Sequence, residues 1–296
     1  MYLGVESFTM NKDFKEDFFG TLEKVSKLGL HYVEYLSVVN ENDHGMGNGL
    51  SPKEAVKIFA DYGMELTGTI FFYPNSRESL NNFDEMQKVI DWWAEAGASA
   101  VGLGGDYFVD AEFLKRRMDT YNELGRRCQK VGMSWIYHNH FHELQKVGDK
   151  TVLQLMCEYT DPDCVGFDWD VYWGLRGLVD PVENIKTLGK RIKRFHCKDF
   201  PFNRLDHINI RKDLPDDELI SWDNKDKFSA YKMVVPEDFI ECGKGIIKWQ
   251  DVINEANKFD IPYMFVEQDY TTYPDKYQSL AVSRDYLLSL NGITVK

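Results

Sequence analysis

Short runs of β-branched and aromatic residues alternate with longer amphipathic stretches from one end of the chain to the other. Short apolar runs are typical of buried strands, whereas apolar positions three or four residues apart indicate helices. The pattern predicts strands near residues 2–8, 32–36, 65–72, 100–105, 134–140, 164–170, 192–199 and 262–269. Between and after them it predicts helices near residues 13–28, 51–62, 79–96, 110–131, 148–159, 181–189, 248–259 and 276–289.

Signals for helix ends support this reading. The segment from Ser51 to Glu54 has the pattern of a capping box with proline at the first helical position. Four predicted helices are each followed by a glycine in the position of a C-terminal cap: Gly29, Gly63, Gly97 and Gly132. A strand followed by a helix, repeated along the whole chain, favours a closed (β/α)8 TIM barrel. We therefore expect residues 1–296 to form a single TIM-barrel domain.

The regular spacing has one interruption, between the seventh strand and its helix. Residues 201–247 form a segment that is too long for an ordinary loop between a strand and a helix. Such loops lie over the mouth of a barrel, where catalytic residues gather. The extended loop after the seventh strand is therefore expected on the active face, either as a lid or partner surface or as an insertion without a function.

Composition narrows the class of protein. Apolar residues make up 43% and charged residues 28% of the 296 residues, as in soluble globular proteins. The formal net charge of -13, without a cluster of basic and aromatic residues, argues against nucleic acid and anionic membranes as partners. The five cysteines include no CxxC pair, and no run approaches the roughly 20 apolar residues of a membrane span. These features predict a cytoplasmic protein with reduced thiols.

Acidic residues and a histidine stand at or just beyond the ends of four predicted strands: Glu143, Asp170, His196 and Glu267. The carboxyl ends of barrel strands meet on one face, so these side chains are expected to converge. Three carboxylates and one imidazole suit Mn²⁺ best, with Mg²⁺, Co²⁺ or Zn²⁺ as alternatives. The sequence therefore predicts one divalent metal, which would polarise a carbonyl while a carboxylate beside it takes a proton.

Further candidates lie beside this set. His138 and His140 are two positions apart, so on a strand they would share one face. Both could act as acid or base, or one could only shape the mouth. Lys198 follows His196 by two residues and is a candidate to polarise a sugar oxygen or to form a salt bridge. Trp173 is a candidate for stacking on a sugar ring or for packing, and Glu6 and Glu34 are candidates for binding hydroxyl groups.

Several segments together resemble the xylose isomerase-like TIM-barrel family, and within it the sugar phosphate isomerases/epimerases. The resemblance covers nearly the whole chain. Its motifs are residues 137–140 with Glu143, 170–173 followed by 180–181, 191–199, 243–245 and 266–269.

The resemblance implies one divalent metal, bound by acidic residues and a histidine from late strands, and proton movement between adjacent carbons of a keto sugar. It supports Asp170, His196 and Glu267 as ligands. In the ketose epimerases of this family a glutamate stands at the tip of the fifth strand, where this chain has His138. Glu143 is accordingly our fourth ligand, with His140 as the competing choice.

The predicted function is a divalent-metal-dependent isomerase or epimerase of a small sugar or keto sugar. Glu143 and Glu267 would serve as acid/base groups as well as ligands, assisted by His138, His140 and Lys198. One alternative is a metal-dependent lyase or dehydratase acting on a keto-cyclitol or 3-keto-glycoside, which shares the carbanion intermediate. A second alternative is a sugar-binding barrel without catalysis. The partner is then a small sugar, and assembly into a homo-oligomer is left open.

Overall fold

Eight parallel strands close into a barrel in the computed structural model, which describes residues 1–72, 76–214, 219–228 and 230–296. Each strand pairs with the next one along the chain, and the last pairs with the first. The strands are β1 Tyr2–Glu6, β2 Tyr32–Val38, β3 Glu65–Phe72, β4 Ala100–Leu103, β5 Ser134–His138, β6 Val165–Asp170, β7 Ile192–Cys197 and β8 Tyr263–Val266. The predicted (β/α)8 TIM barrel is confirmed.

Helices cover the outside of the barrel. The α-helices are Asn11–Glu16, Phe18–Ser26, Pro52–Asp61, Ser76–Ser79, Phe83–Glu95, Ala111–Lys130, Val152–Tyr159, Val171–Arg176, Pro181–Leu188, Lys225–Phe228, Ala230–Met233, Trp249–Ala256 and Lys276–Leu288. Short 3-10 helices are Ser7–Met10, His142–Leu144, Gly189–Arg191, Phe202–His207, Pro236–Asp238 and Asn257–Phe259.

The predicted helix signals are found in the structure. Ser51 and Glu54 form the expected capping box, in which each side chain bonds the backbone of the other. The four predicted capping glycines all have left-handed backbone geometry, with φ between 68° and 80°. Only glycine adopts this region without steric cost, so these positions end the helices and direct the chain into the next strand.

Some element boundaries differ from the prediction. The predicted helix 13–28 is divided at Asp17, whose backbone is non-helical and whose side chain accepts a hydrogen bond from the Gly20 N–H at 2.9 Å. The predicted helix 148–159 begins at Val152, because the residues before it form a two-stranded hairpin. The predicted strand 134–140 ends at His138, since pairing with β6 stops there.

The barrel interior is divided between apolar and charged side chains. On the side of β2 to β5, the interior cluster consists of Leu36, Ile70, Ala100 and Ile136, packed against Phe8. On and just after β6, β7 and β8 the buried side chains include charged ones: Asp168, Asp170, Arg194, His196, Lys198 and Glu267. The buried charges of these three strands therefore lie on one side of the barrel.

The insertion at 201–247 packs over the barrel mouth through an apolar cluster of its own. Residues 215–218 and 229 lie outside the described residues. The cluster joins loops after β5 and β6 to the insertion: Phe141, Tyr172, Trp173, Phe200, Ile210, Ile220, Phe228, Val234 and Phe239. Asp199 holds both ends of the insertion, because its carboxylate accepts hydrogen bonds from the Phe200 N–H at 2.8 Å and the Ile247 N–H at 3.0 Å. This packing fits an active-face loop.

Two further features concern the cysteines and the apolar character of the helices. All five cysteines are free thiols, four of them buried. In the part of the chain that the structure describes, no helix has the length and apolar character needed to cross a bilayer.

Candidate active site

His196, at the end of β7, lies at the centre of the charged group and is fully buried. Its ring nitrogens face different carboxylates. Nδ1 is 2.9 Å from Glu267 Oε2, whereas Nε2 is 2.7 Å from Glu34 Oε2 and 3.0 Å from Asp168 Oδ2. Burial by itself would lower the pKa of His196, but Asp168 and Glu267 raise it well above its usual value. The imidazole is therefore fixed from both sides by negative charge.

Glu34 belongs to the barrel interior below His196. Its second oxygen, Oε1, accepts a hydrogen bond from Arg194 Nη1 at 2.7 Å, so both oxygens are engaged. Burial raises the pKa of Glu34, but Arg194 and His196 outweigh it and the net direction is downward. Arg194 also donates to Ser99 Oγ at 3.0 Å. In this arrangement Glu34 orients His196 and has no oxygen free for the substrate hydroxyl that the sequence suggested.

Lys198 is fully buried among three carboxylates just above His196. Its Nζ lies 2.6 Å from Glu267 Oε2, 2.7 Å from Asp269 Oδ1 and 3.0 Å from Asp170 Oδ2. Burial would lower the pKa of Lys198, but Asp170 and Asp269 raise it well above the ordinary value, so it is an ammonium group. Strand β7 ends one residue before it, yet Lys198 points into the same mouth as predicted.

Glu267 lies between His196 and Lys198, and its Oε2 contacts both. Burial would raise its pKa, but Lys198 and His196 hold it at about 2. Glu267 is therefore ionised at neutral pH, which is the state a metal ligand requires.

His138, Asp170 and His196 place ligand atoms within 4.8 Å of one another. His138 Nδ1 and Asp170 Oδ2 are buried and make no hydrogen bond, although Lys198 Nζ lies beside the Asp170 oxygen. Burial and the neighbouring His196 lower the pKa of His138 well below its usual value, which leaves the neutral imidazole that binds metals. Buried polar atoms without partners are rare in native proteins. These residues, with Glu267 beside His196, fit a divalent cation that takes the place of a proton on the His196 ring.

Glu143 lies in a different group from the other three predicted ligands. Its ligand atom clusters with those of His140 and His142. The carboxylate is fully buried and accepts hydrogen bonds from the Tyr137 hydroxyl at 2.5 Å and from the His140 N–H at 2.9 Å. The expectation that Glu143 would join Asp170, His196 and Glu267 therefore differs from the arrangement found. The physical reason is that β5 ends at His138, so His138 occupies the strand tip and Glu143 follows a turn.

His140 also lies beyond the strand, so the rule that alternate strand residues share a face does not apply to it. Its ring is nevertheless 5.0 Å from the His138 ring and 5.4 Å from the Trp173 ring, measured between centroids. Its Nδ1 is buried without a hydrogen-bond partner, and burial lowers its pKa well below the usual value. The neutral ring thus lies beside the metal-type group.

The remaining predicted residues surround the same space. Glu6 is fully buried at the end of β1; one oxygen accepts a hydrogen bond from the Phe8 N–H and the other has no partner. Burial, followed by the charge of Glu267, raises the pKa of Glu6 well above its usual value. Trp173 is buried, with Lys198 Nζ 5.6 Å from its ring, so it packs between the insertion and the site.

Sequence reasoning missed Arg194 and Asp269. Each lies two residues from a predicted site residue, Arg194 before His196 and Asp269 after Glu267. Because alternate residues of a strand share a face, this spacing could have identified both. Burial raises the pKa of Asp269 to about 7 despite the neighbouring Lys198.

Comparisons with known proteins agree with this architecture. Residues 22–284 match the family described as xylose isomerase-like TIM barrel. A curated relative, the inosose dehydratase of Geobacillus kaustophilus (strain HTA426), is 30% identical over 82 residues, which are 28% of this chain and 26% of that protein. The match thus spans about a quarter of that relative's length.

Solved structures share the fold at low identity. A sugar phosphate isomerase/epimerase from Parabacteroides distasonis ATCC 8503 has a TM-score of 0.78 and 21% identity, with 99% of this chain and 95% of that chain covered. The IOLI protein with a binding zinc atom has a TM-score of 0.64 and 14% identity, with 98% and 97% covered. The family match extends over most of the chain, and the protein belongs to the xylose isomerase-like TIM barrel family.

Proposed function

We propose that this protein is a divalent-metal-dependent isomerase or epimerase of a small keto sugar, working by proton transfer next to the carbonyl. The observation that carries the proposal is the buried group formed by His138, Asp170 and His196, in which His138 Nδ1 has no hydrogen-bond partner. It lies at the carboxyl ends of the strands, where barrel enzymes hold their active sites.

The residues that would hold the cation are His138, Asp170, His196 and Glu267. A divalent cation bound there would act as a Lewis acid on the carbonyl oxygen and lower the pKa of the adjacent C–H. Two imidazoles and two carboxylates form a more nitrogen-rich set than the sequence suggested, which favours Mn²⁺, Co²⁺ or Zn²⁺ over Mg²⁺. Zinc belongs among the metals to test also because it is bound in the IOLI structure.

Proton-transfer groups stand at both ends of this set. Glu267 lies 2.9 Å from His196 at one end. The His138 ring lies 4.5 Å from the His196 ring and 5.0 Å from the His140 ring, which places His140 at the other end. Epimerisation removes a proton from one face of a carbon and returns one to the opposite face, and this requires two such groups. We assign the two roles to Glu267 and His140.

Lys198 is a buried cation, within the described part of the chain, that lies beside the proposed metal ligands. Three carboxylates hold its ammonium group in place, so it can stabilise negative charge that develops on a substrate oxygen without prior reorganisation. The other buried cations near the mouth are engaged elsewhere, Arg194 with Glu34 and Arg176 with Asp238. Together with the net charge of -13, this favours an unphosphorylated substrate.

Solvent deuterium exchange tests the proposal. Protein loaded with Mn²⁺ is incubated with unphosphorylated ketoses in D₂O and the products are followed by NMR. We expect deuterium on the carbon next to the carbonyl together with the epimer or isomer, and Glu267→Gln should slow both. Full exchange by Glu267→Gln, or by wild-type protein freed of divalent metal with EDTA, would refute the proposal.

A dehydratase acting on a keto-cyclitol is the second candidate, favoured by the sequence match to an inosose dehydratase. Removal of the same proton would be followed by loss of a β-hydroxyl group as water, with His140 or Lys198 supplying the proton to the leaving oxygen. An inosose incubated with the protein then gives an absorbing unsaturated ketone and no epimer. The two candidates are thus separated by their products.

A further inference from the structure

We propose that Glu143 is a positioning residue that fixes His140 beside the metal-type group, and that it acts through His140 and does not bind the cation. The inference rests on the proposed function in one respect, because His140 is one of its two proton-transfer groups. We call Tyr137, Glu143 and the backbone N–H of His140 the Glu143 brace.

The hydrogen bonds of Glu143 are the first support. Its Oε2 accepts the His140 N–H at 2.9 Å and its Oε1 accepts the Tyr137 hydroxyl at 2.5 Å, in a fully buried position. The Glu143 ligand atom groups with those of His140 and His142 and not with those of His138, Asp170 and His196, so coordination of a cation at His138 would require the carboxylate to move away from these donors. A buried donor without a partner is costly, so the carboxylate is more stable where it is.

The brace is anchored on its far side to the loop after β4. The Tyr137 hydroxyl accepts a hydrogen bond from the Asp106 N–H at 3.0 Å. The Asp106 carboxylate in turn pairs with Arg117 Nε at 2.9 Å and accepts the Tyr121 hydroxyl at 2.7 Å. Arg117 and Tyr121 belong to the helix Ala111–Lys130, so the loop that carries His140 is tied to a long helix.

The His140 ring is held by stacking while one nitrogen remains without a partner. The rings of His140 and His142 are nearly parallel, with centroids 5.7 Å apart, and Tyr107 stacks on His142 at 4.5 Å. His140 Nδ1 is buried and makes no hydrogen bond. A Cβ added at Gly105 would lie 3.5 Å from this nitrogen and would meet no atom outside the His140 ring within 4 Å. The fixed ring thus has a free nitrogen beside unfilled space.

The same three side chains do not favour a second cation site. The ligand atoms of His140, His142 and Glu143 lie close together. However, His142 Nε2 is 2.8 Å from the Asp106 carbonyl oxygen and 3.1 Å from Glu143 Oε1, and both Glu143 oxygens are engaged. The ligand atoms of His142 and Glu143 therefore already have partners, and this group is better suited to position His140 than to hold a second cation.

Metal content is the first test. Wild type and Glu143→Gln are stripped with EDTA, incubated with Mn²⁺, and analysed for bound metal after gel filtration. We expect the same metal content and affinity within about threefold, because Glu143 is not a ligand. Loss of bound Mn²⁺ from folded Glu143→Gln, with wild type loaded, would overturn the inference.

A matched pair of tyrosine variants provides the second test and needs no substrate. Tyr137→Phe removes the hydroxyl that bonds Glu143, whereas Tyr121→Phe removes a hydroxyl that bonds Asp106 on its far side. With ¹⁵N-labelled histidine, and His140→Ala to assign the signal, Tyr137→Phe should shift the His140 ring resonances, whereas Tyr121→Phe, which acts one hydrogen bond further away, should shift them clearly less. Equal shifts in the two variants, or none in Tyr137→Phe, would show that the brace does not position His140.

A double-mutant cycle on turnover of an inosose or ketose is the third test. We expect Glu143→Gln to lower kcat by about 10- to 100-fold with KM nearly unchanged, since a misplaced catalytic group costs on this order. In the His140→Ala background, Glu143→Gln should cost less than about threefold more, because both act through one group. Fully additive losses would contradict the inference. If wild type binds no metal the proposed function fails, while the histidine resonances still decide the role of the brace.

Discussion

The two sides of the barrel interior differ in what they bury. On the side of β2 to β5 the side chains of Leu36, Ile70, Ala100 and Ile136 form a small apolar cluster. On the side of β6 to β8 the interior contains charges, and Glu34 reaches across from β2 to pair with Arg194. Buried charges cost free energy of desolvation that packing side chains do not. We therefore expect the apolar side to contribute stability and, under the proposed function, the charged side to serve the chemistry.

Asp170→Asn should give the largest effect on the charged side. The amide oxygen keeps the hydrogen bond from the Trp173 N–H, so the helix Val171–Arg176 keeps its cap, but the charge next to His138 and His196 is lost. We expect metal affinity to fall at least about 100-fold and activity to fall by about 10²- to 10⁴-fold. Calorimetric titration with Mn²⁺ and an exchange assay measure the two effects.

The same variant also tests the division between the two sides. Its free energy of unfolding should change by less than about 1.5 kcal/mol, since Lys198 keeps Glu267 and Asp269 as partners. A severely unstable Asp170→Asn with intact metal binding would mean that this side is structural.

Ile136→Ala should give the largest effect on the apolar side. Ile136 is fully buried in the interior cluster, and truncation leaves a cavity. We expect a loss of about 2–5 kcal/mol in the free energy of unfolding, measured with urea, and nearly unchanged metal affinity in the folded protein. Weakened metal binding in folded Ile136→Ala would show that the two sides are not independent.

Asp168→Asn should have an intermediate effect. Asp168 Oδ2 lies 3.0 Å from His196 Nε2, on the opposite side of the ring from Glu267. Burial and the nearby Glu34 raise the pKa of Asp168 to about 7, so Asp168 is only partly ionised at neutral pH and the variant removes less than a full charge. We expect about 10-fold weaker metal binding through poorer orientation of His196. Calorimetry should therefore detect a loss clearly smaller than that of Asp170→Asn, and an equal loss would make Asp168 a ligand.

Asp13→Asn should have the smallest effect, because Asp13 lies on the outer shell, apart from both sides of the interior. Burial raises its pKa, but hydrogen bonds from Lys276 at 2.8 Å and Tyr277 at 2.9 Å outweigh burial and lower the pKa below the ordinary value. Because the pKa of Asp13 is lower in the folded than in the unfolded protein, its ionised side chain stabilises the fold at pH values above the unfolded pKa. This contribution is lost as the pH falls through the folded pKa. We expect about 1 kcal/mol at pH 7 that is lost as the pH falls through the lowered pKa of Asp13, measured by urea unfolding at each pH.

The fold could be predicted from the sequence because its signals are local. Alternation of strands and helices, the capping box at Ser51 and the glycines after helices each depend on neighbouring residues only. Asp170, His196 and Glu267 were identified for the same reason, since each stands at or next to a strand end. These three come together in the structure as the barrel geometry requires.

The rest depended on contacts that local patterns do not show. The end of β5 is set by pairing with its neighbours, so the sequence could not decide between His138 and Glu143 at the strand tip. The bond between Glu34 and Arg194 joins residues 160 positions apart, and it turns a predicted sugar-binding group into one that orients His196. The hydrogen bonds that hold Glu143 likewise appear only in three dimensions.

Metal titration of wild type and His138→Ala tests the central claim most directly. After treatment with EDTA, each protein is titrated with Mn²⁺ and with Zn²⁺ in a calorimeter. The account predicts one equivalent bound per wild-type chain and affinity lower by at least about 100-fold in His138→Ala. Absence of binding by wild type, or wild-type affinity in His138→Ala, would contradict it.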